Sequence, residues 1–446
     1  MEKRIADPSL ELLDRDTVRA LQFSRLQDMV RSTWATNAFY RDTWRTAGVD
    51  VETIDSIERF REVIPTAEKA DFLADQQAHP PFGKRLERTL GLRERVDLYT
   101  TSGTSGQGTE THAQTLRELQ GMAKVYSFYF RWAGLVPGDR VGMPIPVGML
   151  AGGRAELEGA VQNDLSVLPL GPYDAERRLS LLQQFRPRAL LSSTTYIAHL
   201  AAIAEELPPV DSIEILLAGG EGVGWSYLQS LEEQWQAKVY DRFGCAQMRV
   251  DHAFTCEHGI GTPDRPGLLH NIDPYVLLEV VDPETGRHVG DGEFGEIILT
   301  SLYHFDNPLV RCRTRDGGVF REAAYCDCGR PFAGVEISSI ARTDDVKKIK
   351  MINVYPQAVD DVLYSFSNVD EYRVVLRTLP NKGDHATVEV MTKEPLPDPE
   401  AAGDFFAAVG ERLRERIGIG FDVVQVEDIP RSEYKARRWS DEREGR

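Results

Sequence analysis

The sequence predicts an α/β protein in two unequal parts. A large N-terminal part carries a wound α/β sheet plus a small antiparallel sheet or barrel, and a small α+β part closes the chain. Three observations predict this. From about residue 97 to 240, short apolar runs alternate with amphipathic helical stretches, the pattern of strands joined by crossover helices. Near residue 268 that alternation gives way to strand-like runs separated by turn residues. From about residue 344, helix and strand signals mix again in a last short stretch.

The elements follow in order. Residues 1–95 read as mostly helical, with apolar spacing of three and four over 10–33 and 54–76. Apolar runs at 188–193 and 213–218 are strands, the first before a helix over 197–207 and the second leading into Gly219-Gly220 and a helix through Trp235. Val239-Tyr240 then leads to Phe243-Gly244. Ligands of such wound sheets bind at the loops after the strands. Residues 275–281, 295–301 and 308–315 read as strands of the antiparallel block, with turn chemistry at 282–286. The last part reads as helices over 359–365 and 401–417 and strands over 372–376, 386–391 and 423–426.

A chain of 446 residues with 41% hydrophobic and 27% charged content has room for a sizeable core, which excludes disordered and fibrous classes. The net charge of −18 argues against general nucleic-acid binding, which wants a basic face. No stretch reaches 18 uninterrupted apolar residues, so no membrane span is expected, and the first residues lack the apolar run of a secretory signal. Five cysteines in so long a chain predict no disulfide framework and a reducing, cytoplasmic setting.

The most informative stretch is Thr100, Thr101, Ser102, Gly103, Thr104, Ser105, Gly106, Gln107, Gly108, Thr109, between a strand-like segment and a helix over 116–132. Three glycines let the backbone approach a ligand, and the hydroxyls add donors, which suits phosphate oxygens. No Lys-Ser/Thr follows, so it is not a Walker loop. The alternative is a plain polar turn.

Thr101–Thr109 resembles the phosphate loop of adenylate-forming enzymes, and most closely that of the phenylacetate–coenzyme A ligases. The resemblance extends over nearly the whole chain. Asn37-Ala-Phe-Tyr-Arg and Ile64-Pro-Thr-Ala-Glu-Lys-Ala-Asp are similar to N-terminal motifs of that family. Gly219-Gly220-Glu221 is similar to Gly-Ala-Glu-Pro, and Asp241-Arg-Phe-Gly-Cys-Ala-Gln to Asp-Ile-Tyr-Gly-x-Ser-Glu. Pro308-Leu-Val-Arg-Cys-Arg-Thr-Arg-Asp316 nearly repeats Pro-Leu-Ile-Arg-Tyr-Arg-Thr-Arg-Asp. Ala341-Arg-Thr-Asp-Asp resembles Gly-Arg-Ser-Asp-Asp, and Pro430-Arg-Ser-Glu-Tyr-Lys435-Ala resembles Pro-Arg-Ser-Glu-Gly-Lys-Ala. Each motif is weak alone; eight in the family's order are specific.

The resemblance implies a fold, a reaction and a set of roles. Residues 1–343 would form the N-terminal adenylation domain, and residues 344–446 a mobile C-terminal domain hinged at Asp344. An aromatic or arylacetic carboxylate would attack the α-phosphate of ATP, with Mg2+, giving acyl-AMP and pyrophosphate. Coenzyme A would then take the acyl group. Thr101 to Gly106 would hold the β- and γ-phosphates. Gly220, Glu221, Asp241 and Gly244 would line the nucleotide pocket, and Phe243 would stack on adenine. Asp316 would accept from both ribose hydroxyls. Arg342 would meet a phosphate, and Lys435 would neutralise charge at the α-phosphate. Relatives often dimerise, so a homodimer is the expectation.

Cys326-Asp-Cys328-Gly is a knuckle, with Cys256, His258 and His270 upstream, and such residues could form a tetrahedral Cys3His zinc site. By the resemblance the ligands would be Cys256, His270, Cys326 and Cys328, with His258 the rival fourth ligand. The site would be structural, because four protein ligands leave no open position. Cys245 and Cys312 fall inside motif loops and are set aside.

Four departures stand out. Gln247 occupies the place of the family's glutamate, the magnesium contact. Gln107-Gly108 replaces Lys-Pro, Met351 replaces a glycine beside the pantetheine path, and Tyr434 replaces the glycine before the lysine. They motivate two alternatives: transfer to an amine, hydroxyl or other small nucleophile in place of coenzyme A, or a non-catalytic nucleotide-binding homologue. A zinc-stapled interaction scaffold is the third. Tyr126, Phe128, Tyr129, Met143 and Met149 are candidates for an aryl slot, against the plainer reading of core packing.

Overall fold

The computed structural model describes residues 3–91, 93–101, 108–149, 151–204, 210–343, 347–349, 352–379, 383–430 and 438–443. The N-terminal region is helical because its breaks are capped. Asp14 accepts from the Thr17 N–H at the start of the helix Arg15–Thr36, Asn37 caps Ala38–Thr46 and Ser56 caps Ile57–Val63. The helix expected over 54–76 is two helices, Ile57–Val63 and Lys69–Ala78, because Pro65 interrupts the ladder and a Glu68/Asp71 capping box restarts it.

The glycine-rich stretch joins two antiparallel strands, Val96–Thr100 and Thr111–Thr115, with Thr100 opposite Thr111. The helix expected over 116–132 is present as Leu116–Ala133, and the strand Thr111–Thr115 fills the residues between it and the loop. Thr115 and Glu118 then form the capping box of the helix Leu116–Ala133.

Five parallel strands follow, in the spatial order Ser166–Pro169, Arg140–Met143, Ala189–Leu191, Ile215–Leu217, Lys238–Tyr240. The chain reverses direction across this sheet between the second and third of these strands, and their carboxyl ends open into Ser192, Gly219 and Asp241. The antiparallel block is larger than expected. It is an eight-stranded sheet that runs from Val276–Val281 through Phe294–Ser301 and Cys312–Arg321 to Arg242–Cys245, with Ala341–Arg342 added to the strand Cys312–Arg321. The strand expected from residue 308 starts at Cys312, since Arg311 has φ +43° and breaks the extended run.

The last part is a four-stranded sheet in the order Asp422–Gln425, Gly383–Thr392, Val369–Leu379, Trp439–Asp441, packed on the helices Pro356–Tyr364 and Pro399–Ile417. It has its own hydrophobic core, from Ile349 to Phe421, separate from the core that ends at Ile337. Tyr364 packs against both cores. No helix among the described residues is long and apolar enough to cross a membrane.

Candidate active site and metal centre

Two adjacent parallel strands deliver the expected nucleotide-binding segments. After Ile215–Leu217 the chain turns at Gly219 (φ +145°) and Gly220 (φ +83°), a left-handed conformation that favours glycine. A Cβ on Gly220 would meet no atom within 4 Å, so open space lies above it. The Glu221 carboxylate accepts from the Thr195 N–H (2.8 Å) and hydroxyl (2.7 Å), at the first turn of the helix Thr194–Ala204.

After Lys238–Tyr240 comes Asp241. It accepts from the Arg242 N–H at 2.9 Å, and burial pushes its carboxyl up to about 7. Phe243 is 7% exposed and meets the His252 ring edge-on, with centroids 5.5 Å apart.

Asp316 and Arg342 face each other across paired strands, with 3.4 Å between carboxylate and guanidinium, and Arg342 also donates to the Thr314 carbonyl. Thr101 anchors one end of the glycine-rich loop: its N–H donates to the Glu110 carbonyl, and its hydroxyl accepts from the Glu110 N–H, both at 3.0 Å. Ser102, Gly103, Thr104, Ser105, Gly106, Asp344, Met351, Tyr434 and Lys435 lie outside the described residues.

Gln247 is not isolated. Its amide donates to the Glu110 carboxylate at 3.1 Å, whose other oxygen lies 2.9 Å from the His112 ring. Burial would raise Glu110, but His112 and Arg85 hold it low, and burial lowers His112 to about 4. A buried carboxylate, that of Glu110 just before the strand Thr111–Thr115, therefore lies beside residue 247. An amide oxygen backed by a buried carboxylate fits a hard cation such as Mg2+.

Cys256, His270, Cys326 and Cys328 place their donor atoms within 4.8 Å of one another. The Cys256 and Cys326 sulfurs are 3.7 Å apart, and the Cys328 sulfur is 3.4 Å from His270 Nε2. Tetrahedral zinc with Zn–S near 2.3 Å and Zn–N near 2.05 Å requires about 3.8 Å and about 3.5 Å. His270 Nδ1 donates to the Phe332 carbonyl at 3.0 Å, which fixes the tautomer and turns Nε2 toward the sulfurs. The fully buried Arg330 offsets thiolate charge nearby and is itself paired with Glu11 and Glu257. The donor set fits zinc. His258 stands outside the group, which corrects its candidacy as rival ligand, and Cys245 and Cys312 stand outside it as expected.

The family model described as AMP-binding enzyme matches residues 36–304, and that for the AMP-binding enzyme C-terminal domain matches 351–443. The chain belongs to the AMP-binding enzymes. It is 29% identical over 413 residues to a phenylacetate-coenzyme A ligase of Thermus thermophilus, covering 91% of this chain and 86% of that one. Among solved structures it is similar to a 2-hydroxyisobutyryl-CoA ligase in its postadenylation state with 2-HIB-AMP. There the TM-score is 0.86 at 25% identity, over 94% of this chain and 89% of that one. Against the same ligase in its thioesterification state, with 2-HIB-AMP and CoA, the TM-score is 0.67 at 25% identity, over 98% and 92%. This AMP-binding enzyme is therefore an adenylate-forming, AMP-releasing ligase of the CoA ligase superfamily, with the large and small domains of that fold.

The small domain of the AMP-binding enzyme is held by specific contacts. Tyr227 and Tyr364 meet at 4.6 Å between ring centroids, and Phe294 meets Tyr355 at 5.5 Å. Asp361 reaches the first turn of the helix Trp225–Trp235, where the Ser226 and Trp225 N–H groups oppose the rise that burial imposes on its carboxyl.

Of the aryl-slot candidates, Phe128 is core, packed on Trp132, Tyr275 and Phe332. Tyr129 stacks on Phe254 at 4.8 Å, and Met149 is 52% exposed. Tyr126 and Tyr129 both direct a hydroxyl inward, Tyr126 donating to the Asp251 carboxylate at 2.9 Å and Tyr129 to the Tyr240 carbonyl at 2.9 Å. The sequence reading missed Glu110, Glu156, Arg242, Asp251 and Arg438. One signal was available: Arg242 stands where the resembled motif has isoleucine.

Proposed function

We propose that the protein activates an aromatic or arylacetic carboxylic acid with ATP and passes the acyl group to coenzyme A. The observation that carries this reading is the convergence of Gly219–Glu221 and Asp241–Gly244 at the carboxyl ends of two neighbouring parallel strands, where a wound sheet binds its ligand. The adenylation half needs alignment and charge neutralisation, because no proton is transferred. Gly220 leaves room for a flat base, and Asp316 offers an acceptor to the ribose hydroxyls. Arg342 and Lys435 supply positive charge to the phosphates, which matters more in a chain that lacks the loop lysine. Gln247 and Glu110 would hold Mg2+, which when bound neutralises phosphate charge.

Cys256, His270, Cys326 and Cys328 would hold a structural Zn2+ that ties together strands distant in sequence. The similarity to a postadenylation structure supports an arrangement poised around acyl-AMP. The test is pyrophosphate release across aryl acids, each with and without coenzyme A. Acid-dependent release that yields acyl-CoA is expected. Acyl-AMP without acyl-CoA would transfer the second half to another nucleophile. No release with any acid, and a Lys435→Ala variant indistinguishable from wild type, would sink the reading.

A further inference from the structure

A buried ionic network lies beneath the two nucleotide segments. Arg242 is only 4% exposed, and its guanidinium is fully committed. It donates to the Leu217 carbonyl at 2.8 Å, to Glu156 Oε1 at 2.6 Å and to Asp251 Oδ2 at 3.0 Å. The Arg242 side chain underlies Gly219, where an added Cβ would stand 2.5 Å from its Cγ. The network therefore forms the floor between Gly219–Glu221 and Phe243–Gly244.

The two bonds to Asp251 fall on one atom. Arg242 and the Tyr126 hydroxyl both donate to Oδ2. Oδ1 is turned the other way, against Gly244, where an added Cβ would stand 2.7 Å from it. Asp251 keeps 16% of its side chain exposed, whereas its partners Arg242 and Glu156 are sealed. Glu156 adds a second acceptor, with a buried Oε2 that has no partner. One guanidinium thus faces two carboxyls, and both unspent atoms are acceptors. A wholly apolar aryl ring against this wall would bury an acceptor without a donor, which is the costly arrangement. On the acid-activation reading, the acid lies beside the segments Gly219–Glu221 and Phe243–Gly244, against which Asp251 is packed.

We propose that Asp251 determines acid specificity, its Oδ1 accepting a hydrogen bond from a hydroxyl or amino substituent, so that the substrate is a donor-bearing carboxylic acid. Arg242, Tyr126 and Glu156 are positioning residues that hold the carboxylate in one rotamer. This rests on the acid-activation reading above and narrows its substrate class.

The experiment is ATP–pyrophosphate exchange by the full chain. The probes are benzoate and phenylacetate beside their singly hydroxylated and amino-substituted derivatives at each ring position. At least one substituted acid should exceed its parent by about ten- to hundredfold in kcat/KM, the selectivity a charged acceptor gives when it is paired or left unpaired. Asp251→Ala should bring that ratio near unity. Asp251→Asn keeps an oxygen for Arg242 and Tyr126 while turning an N–H2 toward Gly244, and should abolish the preference with the fold intact. A ratio measured within one variant is insensitive to the folded fraction. Parent acids used as well as every substituted one, or a ratio unmoved by either variant, would overturn the inference alone. Exchange with no acid at all would remove the acid-activation reading and this inference together.

Discussion

Replacing Arg438 by alanine should loosen the small domain and the lysine segment together. The side chain is 9% exposed and donates to Glu371 from Nε at 2.7 Å and Nη2 at 3.2 Å, with Nη1 3.7 Å from Asp360. Its guanidinium carbon lies 5.1, 5.3 and 5.4 Å from the rings of Tyr227, Tyr364 and Tyr372. Tyr227 belongs to the large domain and the other two rings to the small one, so one cation joins both. Burial would raise Glu371, and Arg438 holds it down; burial raises Asp360 to about 6 even with Arg438 present. Removing one member of a buried pair costs about 3–5 kcal/mol, and each desolvated ring contact about 0.5–2 kcal/mol. These terms share the same atoms and do not add, so a loss of about 4 kcal/mol is the working figure. For a domain of roughly 100 residues, each kcal/mol moves Tm by about 4–8 °C, so the small-domain transition should fall by about 15–30 °C. Arg438 stands three residues after Lys435, so pyrophosphate exchange should also fall, by about tenfold or more. Arg438→Lys keeps the charge but not the flat fork, and should be intermediate. Calorimetry and the exchange assay check this. A Tm within about 2 °C of wild type, with exchange within about twofold, would refute the reasoning.

The remaining predictions are shorter. Purified protein should carry one zinc ion per chain by elemental analysis, and Cys328→Ser should lose it and lower Tm; metal-free wild type with the same Tm would discard the centre. Asp241 is raised from 3.8 to about 7, so its contribution to stability is complete below pH ~4 and lost as pH rises through about 7. Asp241→Asn should therefore gain about 2–3 kcal/mol on wild type between pH 5 and pH 8 in urea unfolding, and parallel curves would contradict the burial argument. Gln247→Glu sets a second carboxylate against Glu110, so it should destabilise the metal-free protein by about 1–2 kcal/mol while lowering the Mg2+ concentration for half-maximal exchange. An unchanged Mg2+ dependence would separate residue 247 from the metal.

Much of the fold was legible because its signals are local. Strand runs before Gly219 and Asp241, and the helices Leu116–Ala133 and Pro399–Ile417, follow from periodicity and capping chemistry within a few residues. Residues 54–76 misled because their apolar spacing continues through Pro65, while the backbone cannot. Residues 308–311 misled because an apolar run reads as strand, whereas Arg311 spends its guanidinium on Glu279 and on the Arg61 and Ile64 carbonyls. The cysteine knuckle was visible as spacing, but the choice of His270 over His258 came from resemblance and then from geometry.

The order and type of the elements, the glycine-rich loop and the cysteine pair are properties of neighbouring residues, and short-range hydrogen bonding and periodicity suffice to read them. The network of Tyr126, Glu156, Arg242 and Asp251 joins the hairpin that carries Arg242 and Asp251 to two segments far away in the chain, and the clasp of Arg438 on Tyr227 joins two more. Such pairings are selected by the cost of burying charge without a partner, and that cost exists only once the sheets have closed around it. The folded packing alone therefore decides which oxygen of Asp251 is spent on Tyr126 and Arg242 and which one is left over.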